Sequence, residues 1–343
     1  MPTITPSFTF DLESNMRVIA AREYERLSRQ IWWPSVMKVA PKSNAKKERV
    51  SWLLDTARIK KTGKGGNIRF EDIVALTTEV EFENAGAGLK IKKEQFEDID
   101  GNGIDYAAHW ARQMGALGAY WPQKMLVAAM LANGTTYDGT AFFSTAHPVN
   151  PFFTASGTYA NLFTGSASGI YPGATRIDSS VAIDVAVQNL AKIFAYIASI
   201  KMPNGEDPRF LRPAAIIGPP LMYPRLVQLA NAKYIAQVAG SAAGTGDVEA
   251  LINSFGIGQP IEAYELGSAF GGDDNTFYIA MEDITSNELG AFAYVPRTDF
   301  SILYYGEMND AQLARIKEFQ WMTEGRNNVL NGHPYLLFKC SPT

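Results

Sequence analysis

Apolar positions near the start of the chain recur with helical spacing. Leu12, Met16, Ile19, Tyr24 and Leu27 stand among charges over residues 11–30, which predicts an amphipathic helix. Ile31-Trp32-Trp33-Pro34 ends it, because proline cannot continue the hydrogen-bond ladder. Such an arm has little core of its own and needs another surface to cover its apolar face. Val50, Trp52 and Leu54 then alternate imperfectly with Ser51, Leu53 and Asp55, and Thr62-Gly63-Lys64-Gly65-Gly66-Asn67 is a turn by composition. The chain returns as a partly alternating strand over Val74–Glu83, so the two halves predict a long projecting hairpin. Leu89-Lys90-Ile91-Lys92 predicts a further short strand after the flexible Gly86 and Gly88.

From Ile104 to Leu131 the pattern is helical again. Trp110, Met114, Leu117, Trp121, Met125 and Ala128 form one stripe at three- and four-residue steps. Ala107, Ala108, Ala111, Gly115, Gly118 and Ala119 permit another element to come close, Pro122 predicts a kink or a division, and Asn133-Gly134 a stop. At 1.5 Å per residue the piece is about 40 Å long, a spine for whatever surrounds it. Residues 134–180 read as long loops with short strands. A second helix, capped by Ser179 or Ser180, carries Ile183, Val187, Leu190, Phe194 and Ile197 on one face and closes at Pro203-Asn204-Gly205.

Ala214–Ile217 predicts a buried strand, followed by Pro219-Pro220 and a helix through Leu229. Further strands are expected near 261–266, 276–281, 291–295, 300–305, 314–323 and 335–340. Helices and mainly antiparallel strands mix without a βαβ rhythm and without internal repeats, which is an α+β class.

Composition adds a second theme. Charged residues are 19% and aromatics 12% of the 343 residues, a balance that suits either a well-packed large domain or extensive protein contacts. A net charge of −4 excludes a generally basic nucleic-acid binder. The single cysteine, Cys340, excludes an internal disulfide framework and fits a reducing cytoplasm. The first residues show no secretion signal, and no apolar run approaches the ~18 residues of a membrane span.

Charge is unevenly spread. Lys38, Lys42, Lys46, Lys47, Arg49, Arg58, Lys60, Lys61, Lys64 and Arg69 are opposed between residues 38 and 70 by Glu48 and Asp55 alone. Acidic residues gather later, at Glu262, Glu265, Asp273, Asp274, Glu282, Asp283 and Glu288. A basic hairpin and an acidic domain on one chain favour head-to-tail association of copies. DNA binding through counterion release and a merely solvated arm are the other two readings. Trp52, Arg58, Lys60, Lys61, Lys64 and Arg69 are the residues assigned to contact between subunits.

Candidate chemistry is sparse. Among three histidines, His109 has no second ligand at zinc spacing. Asp138, Ser144 and His147 suggest a hydrolase triad, yet they share one short loop and no Gly-x-Ser-x-Gly turn presents the serine. Asp98-Ile99-Asp100-Gly101-Asn102-Gly103 opens like a calcium loop, but His109 stands where a bidentate Glu is required, and the segment reads as a helix-capping turn. Gly63-Lys64-Gly65-Gly66 lacks the ending of a phosphate loop. No catalytic residue, metal ligand or cofactor is assigned.

Tyr137-Asp138-Gly139-Thr140-Ala141-Phe142-Phe143-Ser144-Thr145-Ala146-His147-Pro148 resembles a segment of the Mu-like phage major head subunit family, placed there too just after a long helix. The order of earlier parts is similar: Trp52, a basic tip, Phe82-Glu83, then the Lys-Lys-Glu-x-Phe-Glu-Asp-Ile turn from Lys92 to Ile99. The likeness is firmest over residues 30–150. It implies the Hong Kong 97-type capsid fold, with an N-terminal arm over 1–46, an extended hairpin loop over 47–85 and a peripheral domain with the spine helix over 86–180. An axial domain over 181–297 and a return to the peripheral domain over 298–343 complete the expected plan.

The resemblance also implies a major capsid protein of a tailed phage or Mu-like prophage. Its copies would form the pentamers and hexamers of an icosahedral shell around double-stranded DNA, without sequence-specific binding and without a membrane. The expected site is the virion, assembled in the host bacterial cytoplasm. Expected partners are other copies, a separate scaffold or protease, a portal and decoration proteins. The alternatives are an encapsulin-like nanocompartment shell with protein cargo, and a hydrolase using Ser144 and His147.

Overall fold

The computed structural model describes residues 6–42, 47–53, 75–98, 103–152, 156–164, 177–231, 259–284, 290–304 and 317–341. The amphipathic arm is helix α1, Pro6–Ser28, and the expected spine is α3, Gly103–Ala132, with the one-turn α2, Glu94–Glu97, before it. The arm finds its cover within the same chain. Leu12 and Met16 are buried against Ala107, Trp110 and Ala111 of α3 and Ile302, Phe319 and Trp321 of the sheet behind.

Small residues decide which side of the spine faces inward. The buried positions of α3 include Ala107, Ala111, Gly115, Ala119, Pro122, Leu126 and Met130, a stripe rotated from the large-residue stripe read in the sequence. Backbones approach where side chains are smallest, so α1 lies along the Ala/Gly face and the larger Leu117 stays exposed. Pro122 sits inside one uninterrupted helical element rather than dividing it. Its ring falls opposite the carbonyl four residues earlier, that of Gly118. Asn133 ends the helix in the left-handed region at φ 48°, as Asn-Gly predicted.

Two sheets carry the rest. One has the order β1-β11-β12-β4, built from Met37–Val39, Phe292–Tyr304, Glu318–Asn331 and Glu83–Lys92. The other has the order β7-β13-β10-β8-β9, from Leu162–Thr164, Leu337–Ser341, Phe277–Asp283, Leu211–Gly218 and Ile261–Glu262. Lys47–Leu53 (β2) and Ala75–Glu81 (β3) form a separate two-stranded ribbon, and His147–Pro148 (β5) pairs with Thr158–Tyr159 (β6). Gly86 belongs to β4 rather than to a flexible joint: a Cβ there would stand 2.8 Å from the Thr323 carbonyl oxygen of β12.

Helices α4 (Ile183–Ala198) and α5 (Tyr223–Asn231) share the core of the five-stranded sheet through Val187, Leu190, Phe194, Leu226 and Leu229. Neither Ser179 nor Ser180 caps α4. Ala182 occupies the N-cap without a side-chain bond, because Ser180 is held instead by Asp178, whose Oδ1 accepts from the Ser180 amide at 2.7 Å. The five-stranded sheet also reaches outside the 181–297 span. β13 pairs antiparallel with β10 and parallel with β7, so residues 337–341 and 162–164 complete this sheet while β12 completes the other.

The strands expected separately at 291–295 and 300–305 are one element, β11, with register shifts after Pro296 and after Thr298. A bulge absorbs the proline that made the sequence look broken. One contiguous core runs beneath both sheets, from Met37, Leu126 and Phe292 to Ile216, Ile279 and Phe338.

Candidate functional site

Three features stand out once the fold is in place: the ribbon, the loop after the spine, and a groove along the spine's outer face. In the ribbon, Lys47 pairs with Glu81, and Arg49 Nε meets Glu79 Oε1 at 2.6 Å. The paired part of the hairpin is therefore largely neutralised across its own strands, and an excess of positive charge remains in the segment beyond Leu53 and Ala75. Trp52 lies on β2 in register with Leu76. Arg58, Lys60, Lys61, Lys64 and Arg69 fall outside the described residues.

The loop after α3 is a clasp. Asn133 starts it, accepting the Phe143 amide at 2.6 Å and donating to the Phe143 carbonyl at 3.2 Å. Phe142 then stacks on Phe292 of β11, centroids 4.3 Å apart, while Phe143 meets Tyr278 of β10 at 5.7 Å. The Phe-Phe pair thus plugs the junction of the two sheets, and each fully buried ring contributes about 2 kcal/mol by area alone.

Beneath the plug, His147 is completely buried. Its Nδ1 lies 2.6 Å from Asp138 Oδ2 and 2.8 Å from Thr140 Oγ1, and its Nε2 lies 3.1 Å from the Phe142 carbonyl and 3.2 Å from Asn161 Oδ1. Asn161, also fully buried, donates to the carbonyls of Phe142 at 2.6 Å and Pro334 at 3.0 Å, tying three stretches of chain together. Burial pushes the Asp138 carboxyl up. Hydrogen bonds from His147 and Thr136, the electrostatic pull of His147 and the Thr140 amide outweigh it, and the group rests below the usual carboxylate range.

The triad residues are thereby separated by role. Ser144 is part-exposed and its Oγ accepts the Ala146 amide at 3.2 Å, while both His147 nitrogens are engaged elsewhere. The geometry is that of a locked loop. His109 lies exposed on α3, and among the described residues no group of three or more metal-ligating side chains assembles. Asp283 leaves the set of acidic surface partners, being buried with Arg209 at 3.4 Å.

The groove has a volume of about 540 Å³ and runs beside Met114, Leu117, Trp121 and Ala128 of the spine. These four belong to the large-residue stripe of the sequence: Leu117 and Ala128 are exposed, Met114 and Trp121 half-buried, and Trp110 of the same stripe is buried. Ala85, Gly86 and Ala87 of β4 form another part of its lining, and Glu265 and Phe270 of the turn before β10 another. That turn is braced to the spine: Gln123 donates to Glu265 Oε1 at 2.6 Å and accepts the Trp32 amide at 3.1 Å. Burial and a hydrogen bond to Glu265 push the Tyr120 phenol up. Sequence reasoning missed both Asn161, which carries no local signal, and the groove, whose signal was the stripe itself.

Comparison with known proteins bears on these features. Residues 18–175 match the family described as Mu-like prophage major head subunit gpT, a little under half the chain and the part that holds the second half of α1, the ribbon, the spine and the clasp. No curated protein matches. Among solved structures, the asymmetric unit of the bacteriophage PhiM1 mature capsid is similar at a TM-score of 0.50 and 11% identity, over 91% of this chain and 87% of that one. The virus-like particle from Pyrococcus furiosus is similar at 0.51 and 10% identity, over 95% and 98%.

The chain spans 64% of the length of the bacteriophage JBD30 capsid chain that it also matches, at a TM-score of 0.43 and 12% identity over 90% of its own length. At such identities the PhiM1 and Pyrococcus furiosus likenesses show the fold alone, and the fold is the Hong Kong 97-like one expected. No helix among the described residues is long and apolar enough to cross a membrane. Through residues 18–175, a little under half of its length, the chain is similar to the Mu-like prophage major head subunit gpT family, on a Hong Kong 97-like fold.

Proposed function

We propose that this chain is a major capsid protein whose copies close into the icosahedral shell of a tailed-phage head. The observation that carries the reading is a coincidence of position. The stretch matching the head-subunit family, residues 18–175, holds the projecting ribbon and the spine on a fold shared with the PhiM1 capsid. Pentamers and hexamers form first. The basic segment beyond the ribbon, with Trp52, Arg58, Lys60, Lys61, Lys64 and Arg69, contacts adjacent subunits, and many modest interfaces sum by multivalency.

The shell encloses double-stranded DNA without reading its sequence, which suits a chain of net charge −4. Assembly takes place in the host cytoplasm with a scaffold or protease, and portal and decoration proteins join the virion.

Negative-stain electron microscopy of the purified protein, with and without its scaffold candidate, tests this. Rings of five or six subunits, tubes or closed shells are expected. A uniform population of small particles with scaffold present would overturn the reading. A second reading, a nanocompartment shell around protein cargo, is favoured by the likeness to the Pyrococcus furiosus virus-like particle. The contents of purified particles, nucleic acid or protein, separate the two.

A further inference from the structure

We propose that a small cavity lined by Arg209, Lys201, Tyr137 and His333 binds a monatomic anion of chloride size. It lies where three stretches far apart in the chain meet. These are the loop and short strands after the spine, with Tyr137 and Tyr159, the turn from Lys201 to Arg209 ahead of β8, and His333 and Tyr335 ahead of β13.

Arg209 calls for a ligand. It is 8% exposed, and a guanidinium carries five N–H donors. Among the described residues those donors meet one acceptor, Asp283 Oδ2, 3.4 Å from Nη1. The Tyr335 ring covers the group from its face, with the guanidinium carbon 3.6 Å from the ring centroid. That leaves the edge as the donating side, and buried donors as a rule find a partner. Burial pulls the guanidinium pKa down, but the phenols of Tyr335, Tyr159 and Tyr137, with Asp283, more than offset it, so the group stays charged.

The lining sets the sign of the occupant. Its charged members among the described residues are Arg209 and the exposed Lys201, both basic, and Asp283 is not part of it. Tyr137 and His333 bring polar hydrogens to the same wall: Nδ1 of His333 lies 3.5 Å from the Tyr137 hydroxyl, and the two rings meet edge to face. Burial and the Arg209 charge keep the His333 imidazole neutral at pH 7, so it adds a donor and no charge. The prolines and Val149 that complete the lining offer no side-chain acceptor.

Size narrows the choice. The cavity has a volume of about 20 Å³. A water-sized body needs about 10–15 Å³, so one such body fits and a polyatomic oxyanion does not. Between water and a halide, charge decides. Attraction to a buried cation is magnified by the low local dielectric, and a weakly hydrated guanidinium gives up little water to gain an anion. Once bound, the anion fastens the three stretches together and stabilises the folded subunit, as any ligand of the native state does.

Urea unfolding of the full-length, unassembled subunit tests this, with potassium chloride exchanged for potassium gluconate at constant ionic strength. Well above half-saturation, a tenfold rise in chloride should raise the folding equilibrium constant about tenfold, and bromide should act alike. Lys201→Met, at the exposed rim, should fold normally and move the response to higher chloride. Arg209→Lys keeps a charge opposite Asp283 but loses the planar fork, and should lose the response. Crystals grown in bromide should show an anomalous scatterer against the Arg209 guanidinium.

A folding constant unmoved by the exchange of gluconate for chloride would overturn the site, as would an equal response in Arg209→Lys. So would bromide crystals with a water and no scatterer at that place, a result that depends on no variant folding.

Discussion

Gly115 of the spine lies so close beneath Ala20 of the N-terminal helix that a Cβ at Gly115 would stand 2.2 Å from the Ala20 carbonyl oxygen. Real Cβ atoms do not approach that closely, so any side chain here must push the two helices apart. Gly118, one turn on, has space: its added Cβ would meet Tyr24 at 3.8 Å. Gly115→Val should lower subunit stability by on the order of 1–3 kcal/mol through overpacking. Gly118→Ala should be neutral or stabilising by up to about 1 kcal/mol, as glycine is a poor helix former. Denaturant unfolding of the unassembled subunit checks both, and equal behaviour of the pair would refute the close-approach argument.

The clasp makes a separate prediction. His147→Ala removes the imidazole from a carboxylate that is 2% exposed at its side chain, so Asp138 stays buried with the Thr136 and Thr140 donors alone. Breaking a buried pair on one side costs about 3–5 kcal/mol. Ser144→Ala, losing a hydroxyl that only caps a local amide, should stay within about 0.5 kcal/mol. Thermal unfolding separates them. A stable His147→Ala subunit that assembles normally would remove the clasp's structural role, and loss of a measured turnover in it as well would favour the hydrolase reading.

Acid should weaken the subunit in two stages. Burial, with the nearby Arg209 charge, pushes the His333 imidazole down to about 3. A folded pKa below the unfolded one, near 6.5, means the unfolded chain binds the proton first. The contribution is complete above pH 6.5 and is lost as pH falls toward 3. Asp138, also lowered, adds its share above the ordinary carboxylate value of 3.8 and loses it as pH falls through the folded pKa. Denaturation midpoints between pH 4 and 6.5 should therefore slope downward with acid in the native protein and flatten in His333→Phe. An unchanged slope in that variant would assign the effect to other groups.

Deleting residues 60–68 should leave a folded subunit that forms no stable shell. The ribbon's register from Lys47–Glu81 to Leu53–Ala75 lies entirely outside the deletion. Circular dichroism should be native-like while sedimentation shows no particles. Normal heads from this variant would end the proposed role of the hairpin.

Most of the elements were legible because periodicity reports the local environment directly. α1, the spine, α4 and the ribbon each advertise one covered face or one alternating run. What stayed hidden depended on partners far away in sequence. The spine's inward face is set by Ala107, Ala111, Gly115 and Ala119, which are weakly apolar but allow a backbone to nest, whereas the louder stripe is split, Trp110 buried and Leu117 exposed. Gly86 looked like a hinge because its constraint is the Thr323 carbonyl on a strand near the other end of the chain.

In the same way, the sequence counted against a triad at Ser144 and His147 but carried no sign that Asn161 and the Phe142 carbonyl stand at the far nitrogen of His147. The Phe-Phe/His-Pro segment was recognisable as a motif. Its job of bridging two sheets was not, since Phe292 and Tyr278 carry no mark of it.

The parallel pairing of β1 with β11, Met37 against Phe292, also bears on how the subunit is made. A strand near the N-terminus waits for one more than 250 residues later, and β4 likewise waits for β12. Neither the four-stranded sheet nor the groove beside it exists on a ribosome-bound chain until residues near 331 have emerged. At about 5–20 residues per second, that delay is tens of seconds. Until then β1 and β4 lack the strands that complete their sheet, and the nascent chain carries both edges open for the whole of that delay.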